Sequence, residues 1–227
     1  MLGHGEESSD VPLVSASILS ADFGALREEA VRLAQAGADS IHVDVMDGHF
    51  VPNLAFGPDI VRALHAHPGI PLQVHLMLER PRSFIPSFAE CGADMLIFHY
   101  ECDDDIKQLA KSAEDAGCSA GLAINPETGF ESIRNIVGSF DLLQIMGVHP
   151  GLSGQAFIPD TLKKIRDARA YMDMEHLGTV VAVDGGVKLE NSQMILNAGA
   201  DQLVVGSYLS SAEDVKAAID RLKGIIG

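Results

Sequence analysis

The chain has 227 residues, of which 47% are hydrophobic, so it is long enough to bury one sizeable core. Its 16 basic and 32 acidic residues give a formal net charge of −16, which disfavours nucleic acids and anionic membranes because both are bound mainly by Lys and Arg. No apolar run approaches the roughly 20 residues that cross a bilayer, and the polar first dozen residues do not resemble a secretory signal, so we expect a cytoplasmic protein without nucleic-acid or membrane partners.

The first residues and the cysteines fit that expectation. We interpret residues 1–12 as a disordered extension or a cloning remnant, followed by a single domain over residues 13–227. Cys91, Cys102 and Cys118 lack the paired spacing of a metal site. Reduced, buried thiols of this kind are typical of a cytosolic protein.

Short β-rich runs alternate with helical patterns along the chain. Helical spacing of apolar residues predicts helices such as Phe23–Ala36 and Pro159–Met172. Such alternation favours parallel strands joined by right-handed crossovers, and eight repeats without a linker predict an α/β fold, a single (β/α)₈ barrel. A doubly wound sheet is the alternative, but no glycine-rich dinucleotide turn follows the first strand. The predicted strands are Leu13–Ile18, Ser40–Val45, Leu72–Met77, Met95–His99, Ser119–Ile124, Leu142–Met146, Val180–Asp184 and Gln202–Val205.

A short repeat marks the passage from helix to strand. Residues 36–39, 91–94 and 198–201 share the pattern Gly-Ala-Asp after a small residue, and 116–119 is a looser copy. Glycine just beyond a helix can adopt the left-handed conformation that ends it. These segments therefore predict helix-to-strand junctions of one design.

Histidine and aspartate side chains stand near the ends of three predicted strands. His42 and Asp44 are two residues apart on the second strand, so they point to the same face. His75 lies on the third strand and Asp184 ends the seventh. Because the strand ends of a barrel meet at one mouth, we expect all four side chains to converge there. Mixed nitrogen and oxygen donors suit one divalent ion, such as zinc, iron(II), manganese or cobalt.

Each of these residues alone has a simpler explanation, as a hydrogen-bonded core histidine or as an aspartate in a turn. Convergence favours the metal, because burying two carboxylates without compensating charge is costly. A cation could stabilise an enediolate formed beside a ketone, and an acid and a base on opposite faces would invert a stereocentre. The pattern thus predicts an epimerase with Asp44 and Asp184 as the catalytic pair, whereas a single base would fit aldose–ketose isomerisation.

Glycine-rich segments follow the last three predicted strands. Close approach of backbone to an oxyanion needs residues without bulk, and loops at this end of a barrel often bind phosphate. We therefore predict a phosphate cradle and a small phosphorylated ligand. Its predicted residues are Gly151, Leu152, Ser153, Gly154, Gly186, Gly206 and Ser207.

Three methionines and one further histidine also stand at strand ends. Met46, Met77 and Met146 either fill gaps in the core or form an apolar lid against the substrate that excludes water. His99 ends the fourth strand and is a candidate to contact a metal ligand. We predict substrate contact for the three methionines.

Several motifs of this chain, taken together, resemble the ribulose-phosphate 3-epimerase family. The resemblance spans about Val14–Gly206 and implies a (β/α)₈ barrel that interconverts D-ribulose 5-phosphate and D-xylulose 5-phosphate in the pentose phosphate pathway, usually as a homo-oligomer. It is carried, in order, by residues 17–23, 42–53, 75–77, 125–128, 150–157 and 183–186.

The resemblance also implies roles for individual residues. His42, Asp44, His75 and Asp184 would hold one divalent metal ion, with Asp44 and Asp184 as proton acceptor and donor. Ser17 would contact the substrate, and His75 would lie beside it. The loop 151–154, with Gly186, Gly206 and Ser207, would correspond to the phosphate cradle.

Some positions depart from the family pattern, and they leave alternatives open. Leu152 and Ser153 stand where the family has Phe and Gly, Gly147 stands where it has Ser or Thr, and Tyr208 is atypical. A six-carbon ketose phosphate such as D-allulose 6-phosphate is therefore an alternative substrate. A metal-free decarboxylase would need a lysine where Met46 stands, and a non-catalytic phosphosugar-binding barrel would not need all four ligands.

Overall fold

Eight parallel strands close into a barrel in the computed structural model, which describes residues 11–66 and 69–225. The barrel closes because the first strand pairs with both the second and the last. The strands are β1 (Leu13–Ser17), β2 (Ser40–Asp47), β3 (Leu54–Ala55), β4 (Leu72–Met77), β5 (Met95–His99), β6 (Ser119–Ile124), β7 (Leu142–Met146), β8 (Val180–Asp184) and β9 (Gln202–Val205).

Helices on the outside of the barrel connect most successive barrel strands, and only 3₁₀ turns connect β6 to β7. Short 3₁₀ turns cover Pro81–Phe84, Phe130–Ser132 and Val137–Ser139. The helices are α1 (Leu26–Gln35), α2 (Pro58–His65), α3 (Ile85–Glu90), α4 (Ile106–Asp115), α5 (Thr161–Met174), α6 (Leu189–Asn197), α7 (Ser207–Ser210) and α8 (Val215–Leu222).

The predicted (β/α)₈ barrel is confirmed, and six of its eight strands have the predicted bounds. The first strand ends one residue earlier and the second continues to Asp47, where it pairs with the short antiparallel strand β3, which was not predicted. The domain start at residue 13 stays a prediction, because residues 1–10 lie outside the described ranges. No helix within those ranges is long and apolar enough to cross a membrane.

The repeated Gly-Ala-Asp segments link neighbouring strands by one recurring contact. Their glycines all have positive φ, as the predicted helix ends require. The aspartates that follow turn back to the preceding barrel strand and accept a backbone N–H near its start, so they fasten adjacent strands together. The pairs are Asp39 with Val14 at 2.7 Å, Asp94 with Leu72 at 2.8 Å, and Asp201 with Val181 at 2.8 Å.

Side chains of the described residues fill the barrel interior below the mouth, so the strand-end side chains face a ligand at the mouth. On one side, Ser15 Oγ donates to Gln73 Oε1 at 3.0 Å, and Gln202 Nε2 donates to the same oxygen at 2.9 Å. An apolar group fills the other side. It consists of Ile97, Ala123, Leu142 and Ala182.

Candidate active site

The four predicted metal ligands lie together inside the barrel mouth, on three strands. Strand β2 carries His42 and Asp44, β4 carries His75, and β8 ends on Asp184. One nitrogen or oxygen atom from each residue lies within 4.8 Å of those of the others. His75 Nδ1 is 3.1 Å from Asp44 Oδ1 and 3.6 Å from Asp184 Oδ2, and His42 Nε2 is 4.0 Å from the latter atom.

Burial and mutual charge shift the pKa values of these groups strongly. Burial alone would lower the pKa of His42, but Asp44 outweighs it and raises that pKa to about 9. Burial raises the pKa of Asp184 to about 7, with Asp44 adding to the effect and His42 opposing it. Burial lowers the pKa of His75 to about 3, although the nearby Asp44 carboxylate opposes that shift. His42 and His75 outweigh burial at Asp44 and hold its pKa well below the ordinary value.

These side chains fit a divalent cation. Two imidazoles and two carboxylates at this spacing form a mixed nitrogen and oxygen donor set of the kind that zinc, iron(II), manganese and cobalt accept. Two carboxylates share a largely buried site, and a cation between them would remove the cost of that burial.

A cleft opens above the four residues and gathers the other predicted site residues. Ser17 at the end of β1 lies beside Asp44, and its Oγ donates to Asp44 Oδ2 at 2.8 Å. The cleft has an empty volume of about 560 Å³, part of it open solvent. Its walls include Ser17, Asp44, Met46, Met77, Met146, Gly151, Leu152, Ser153, Gly154, Asp184, Gly186, Gly206 and Ser207. His42 and His75 lie beneath it and are fully buried.

The wall of this cleft after β7 and β8 is built on close backbone contacts. Gly186 has φ +69°, and a Cβ there would lie 2.4 Å from the backbone nitrogen of Phe157. At Gly147 a Cβ would lie 2.6 Å from the Gly185 oxygen and 2.7 Å from the Phe157 ring, so a larger residue would displace that ring. The Gly185 carbonyl and the Phe157 ring together leave no room for a Cβ at position 147.

Comparison with known proteins matches the same region to one family. The family model described as "Ribulose-phosphate 3 epimerase family" matches residues 13–210. The chain belongs to this family. The match covers all eight barrel strands and every residue placed in the metal cluster and the cleft.

Curated relatives match over nearly the whole chain. Ribulose-phosphate 3-epimerase of Bacillus subtilis is 42% identical over 212 residues, which are 93% of this chain and 98% of that protein. The protein of that name from Chlamydia pneumoniae is 42% identical, with 89% and 90% covered, and that of Escherichia coli is 40% identical, with 93% and 94% covered.

Solved structures of more distant proteins share the barrel. 3-Hexulose-6-phosphate synthase superposes with a TM-score of 0.67 at 19% identity over 96% of this chain and 100% of that one. A tryptophan synthase alpha-subunit from Pyrococcus furiosus gives a TM-score of 0.69 at 17% identity over 96% and 99%. At these identities the likeness bears on the fold alone.

A buried glutamine in the metal cluster was missed from the sequence. Gln144 on β7 is fully buried, and its Nε2 donates to Asp184 Oδ2 at 2.9 Å while its Oε1 lies 3.1 Å from His42 Nε2. Its Nε2 also lies 3.2 Å from His75 Nδ1. The only signal in the sequence is its position two residues before Met146, which puts it on the inward face.

We expect the metal-free Gln144→Leu variant to be less stable than the wild type by about 1–3 kcal/mol. The reason is that buried polar atoms of His42 and Asp184 would lose a hydrogen-bond partner. Urea unfolding of the two metal-free proteins measures the difference. Equal or greater stability of the variant would contradict the assignment of these contacts.

Proposed function

We propose that this chain is a metal-dependent epimerase that interconverts D-ribulose 5-phosphate and D-xylulose 5-phosphate. The observation that carries the proposal is the cluster of His42, Asp44, His75 and Asp184 beneath a cleft at the barrel mouth. Curated relatives that carry the name ribulose-phosphate 3-epimerase, at about 42% identity over nine-tenths of the chain, support it.

The two aspartates of the cluster are proposed to move the proton. When bound, a divalent ion would stabilise the negative charge that develops as a proton leaves the carbon beside the carbonyl. We assign Asp44 and Asp184 as base and acid on opposite faces of the substrate, so removal from one face and return to the other inverts the centre. His42 and His75 hold the ion with them. Ser17, through its 2.8 Å bond to Asp44, keeps one carboxylate oriented beside the substrate.

The remaining cleft residues are proposed to bind and shield the substrate. Met46, Met77 and Met146 are buried at the mouth, where their apolar side chains would exclude water from the reacting carbon. The backbone of 151–154, with Gly186, Gly206 and Ser207, would hold the phosphate. Since the net charge is −16, backbone N–H groups suit this role without a basic patch.

The alternatives have less support. The relatives from Chlamydia pneumoniae, Bacillus subtilis and Escherichia coli are named for the five-carbon reaction, which does not favour a six-carbon ketose phosphate. A binding barrel without catalysis gives no reason for two carboxylates to share a buried cluster with two histidines.

The family resemblance also suggests an oligomeric state, a cellular compartment and a pathway for this enzyme. We propose a homo-oligomer in the cytoplasm that acts in the pentose phosphate pathway. The three cysteines are free, which supports a reducing compartment.

Product analysis in heavy water tests the proposed reaction. Incubation of the metal-loaded protein with D-ribulose 5-phosphate in D₂O should form D-xylulose 5-phosphate with deuterium at C3, because the proton returns from a carboxylate that exchanges with solvent. Formation of an aldose, or of no product at all, would contradict the proposed reaction.

We expect Gly186→Ala to raise the KM for the sugar phosphate by about 10- to 100-fold with a smaller change in kcat. The added Cβ would push Phe157 and the proposed phosphate-binding backbone apart. Steady-state kinetics measure both constants. Gly129→Ala is the matched control, because its φ is −71° and a Cβ there meets nothing within 4 Å. An unchanged KM in Gly186→Ala would remove this residue from the phosphate site.

A further inference from the structure

A line of buried side chains runs outward from His75, away from the cleft. His75 Nε2 lies 2.8 Å from Nε2 of His99 at the end of β5. On its other side, His99 Nδ1 lies 3.1 Å from Glu101 Oε2. His75 and His99 are both fully buried, and their rings stack with centroids 4.9 Å apart. His75 therefore has a defined partner at each ring nitrogen.

Glu101 is held as a carboxylate at the outer end of this line. Its Oε1 accepts the backbone N–H of Asn125 at 2.9 Å and the hydroxyl of Thr128. Burial would raise the pKa of Glu101, but hydrogen bonds from His99, Thr128 and Asn125 outweigh it and lower that pKa. A carboxylate can only accept hydrogen bonds, so the hydrogen between Glu101 and His99 must sit on His99 Nδ1.

The direction of that bond fixes the next one. When the single hydrogen of the His99 imidazole lies on Nδ1, its Nε2 offers a lone pair. The 2.8 Å contact then requires that His75 donate from its own Nε2. A neutral His75 that donates from Nε2 has a lone pair at Nδ1, the atom that faces the carboxylates of the cluster.

The inner end of the line suits a cation. His75 Nδ1 lies 3.1 Å from Asp44 Oδ1 and 3.6 Å from Asp184 Oδ2. Gln144 Nε2, at 3.2 Å, can donate one hydrogen to this lone pair. The lone pair and the two carboxylate oxygens still repel one another at these distances, and a positive charge among them would remove that repulsion. They suit three atoms that ligate one ion, since bonds of about 2.0–2.2 Å place neighbouring ligands about 3–3.5 Å apart.

We propose that Glu101 and His99 are positioning residues that fix the tautomer of His75, so that its Nδ1 lone pair is presented to the metal site. Histidine ligands commonly donate their second ring nitrogen to such a partner. The inference rests on the proposed metal-dependent function, and it adds two residues that contact neither the ion nor the substrate.

Metal affinity of matched variants gives the first test. We expect His99→Leu to raise the zinc dissociation constant by about 10- to 100-fold, measured by competition with a chelator, because His75 Nε2–H loses its acceptor. His99→Gln places an amide oxygen near the lost Nε2 and should restore affinity close to that of the wild type. Ser15→Ala, which removes a buried hydrogen bond elsewhere in the barrel, is the control for general loss of stability. Unchanged affinity in His99→Leu, or equal losses in both His99 variants, would overturn the proposal.

Nitrogen NMR of ¹⁵N-histidine-labelled wild type gives the second test. We expect a hydrogen on Nδ1 of His99 in both the metal-free and the zinc-loaded protein, and a hydrogen on Nε2 of His75 in the zinc-loaded protein. An unprotonated His99 Nδ1 would overturn the proposal that Glu101 and His99 fix the tautomer of His75. The measurement on metal-free protein distinguishes the two proposals. Failure to bind zinc would refute the proposed function, while the tautomer of His99 would still decide whether Glu101 and His99 position His75.

Discussion

Asp184→Asn is expected to lower kcat for epimerisation by about 10³-fold or more, because the amide cannot exchange a proton with the substrate carbon. The substitution keeps the size of the side chain and an oxygen that can face the ion, so the bound metal should remain. Asp44 is unchanged in this variant. It should therefore still exchange the C3 proton with solvent, slowly, in the epimer whose C3 proton faces Asp44. Stopped-time assays of product and deuterium incorporation at C3 separate the two effects.

A control and a metal assay make this result specific. Asp160→Asn removes an exposed carboxylate just ahead of α5, where its side chain makes no capping hydrogen bond, and should leave kcat unchanged. Metal content of the Asp184 variant, measured after dialysis, shows whether the ion is retained. Wild-type turnover by Asp184→Asn would refute the account of two opposed acid and base groups.

Metal affinity is expected to fall steeply as the pH is lowered. In the metal-free protein the pKa of His42 is about 9 and that of Asp184 about 7, so below these values both groups carry protons that a cation must displace. The apparent dissociation constant should rise about tenfold per pH unit between about pH 9 and about pH 7, and more steeply below, since each displaced proton adds one unit of slope. Between pH 9 and pH 6 the loss exceeds about 10³-fold.

Calorimetry in buffers of different ionisation enthalpy measures this proton release directly. At about pH 8 one proton should leave per ion bound, and below about pH 7 the number should approach two. Asp160→Asn again serves as the control, because it alters a carboxylate outside the cluster. If the affinity did not change with pH, then ion binding would not remove a proton from His42. That result would contradict the assignment of His42 as a ligand of the ion.

The strands could be predicted closely because their signals are local and strong. Continuous apolar runs, with glycines at the preceding helix ends, fixed six strands to the residue. The start of α1 was predicted three residues early, at Phe23. There Asp22 Oδ1 accepts the backbone N–H of Gly24 at 2.9 Å, and this side-chain contact holds a turn where the apolar spacing alone favours a helix.

The metal cluster could be predicted in part because strand ends of a barrel must meet. The contacts of Gln144 could not, since a glutamine within an apolar strand gives no indication of which side chains it reaches across the barrel. His99 was expected near a ligand, but its direction of hydrogen bonding depends on Glu101, which lies beyond the strand. Strand β3 is only two residues long, too short for any periodic pattern.

The phosphate end combines predictable and unpredictable features. Glycines after β8 and β9 marked the cleft wall, and the structure places them there. The loop that carries Leu152 is held by Gln155, whose Nε2 donates to the carbonyls of His149 and Leu152 at 2.7 and 2.9 Å. Leu152 is 65% exposed at the cleft, so this apolar side chain is free to contact the substrate.

Side-by-side turnover of D-ribulose 5-phosphate and D-allulose 6-phosphate, by metal-stripped and reconstituted protein, measures the metal dependence and the substrate preference together. We expect the stripped protein to be inactive on both sugars, and we expect reconstitution with a divalent ion to restore turnover, with D-ribulose 5-phosphate strongly preferred. Full activity after verified removal of the metal would contradict the role of His42, Asp44, His75 and Asp184. A strong preference for the six-carbon sugar would contradict the substrate.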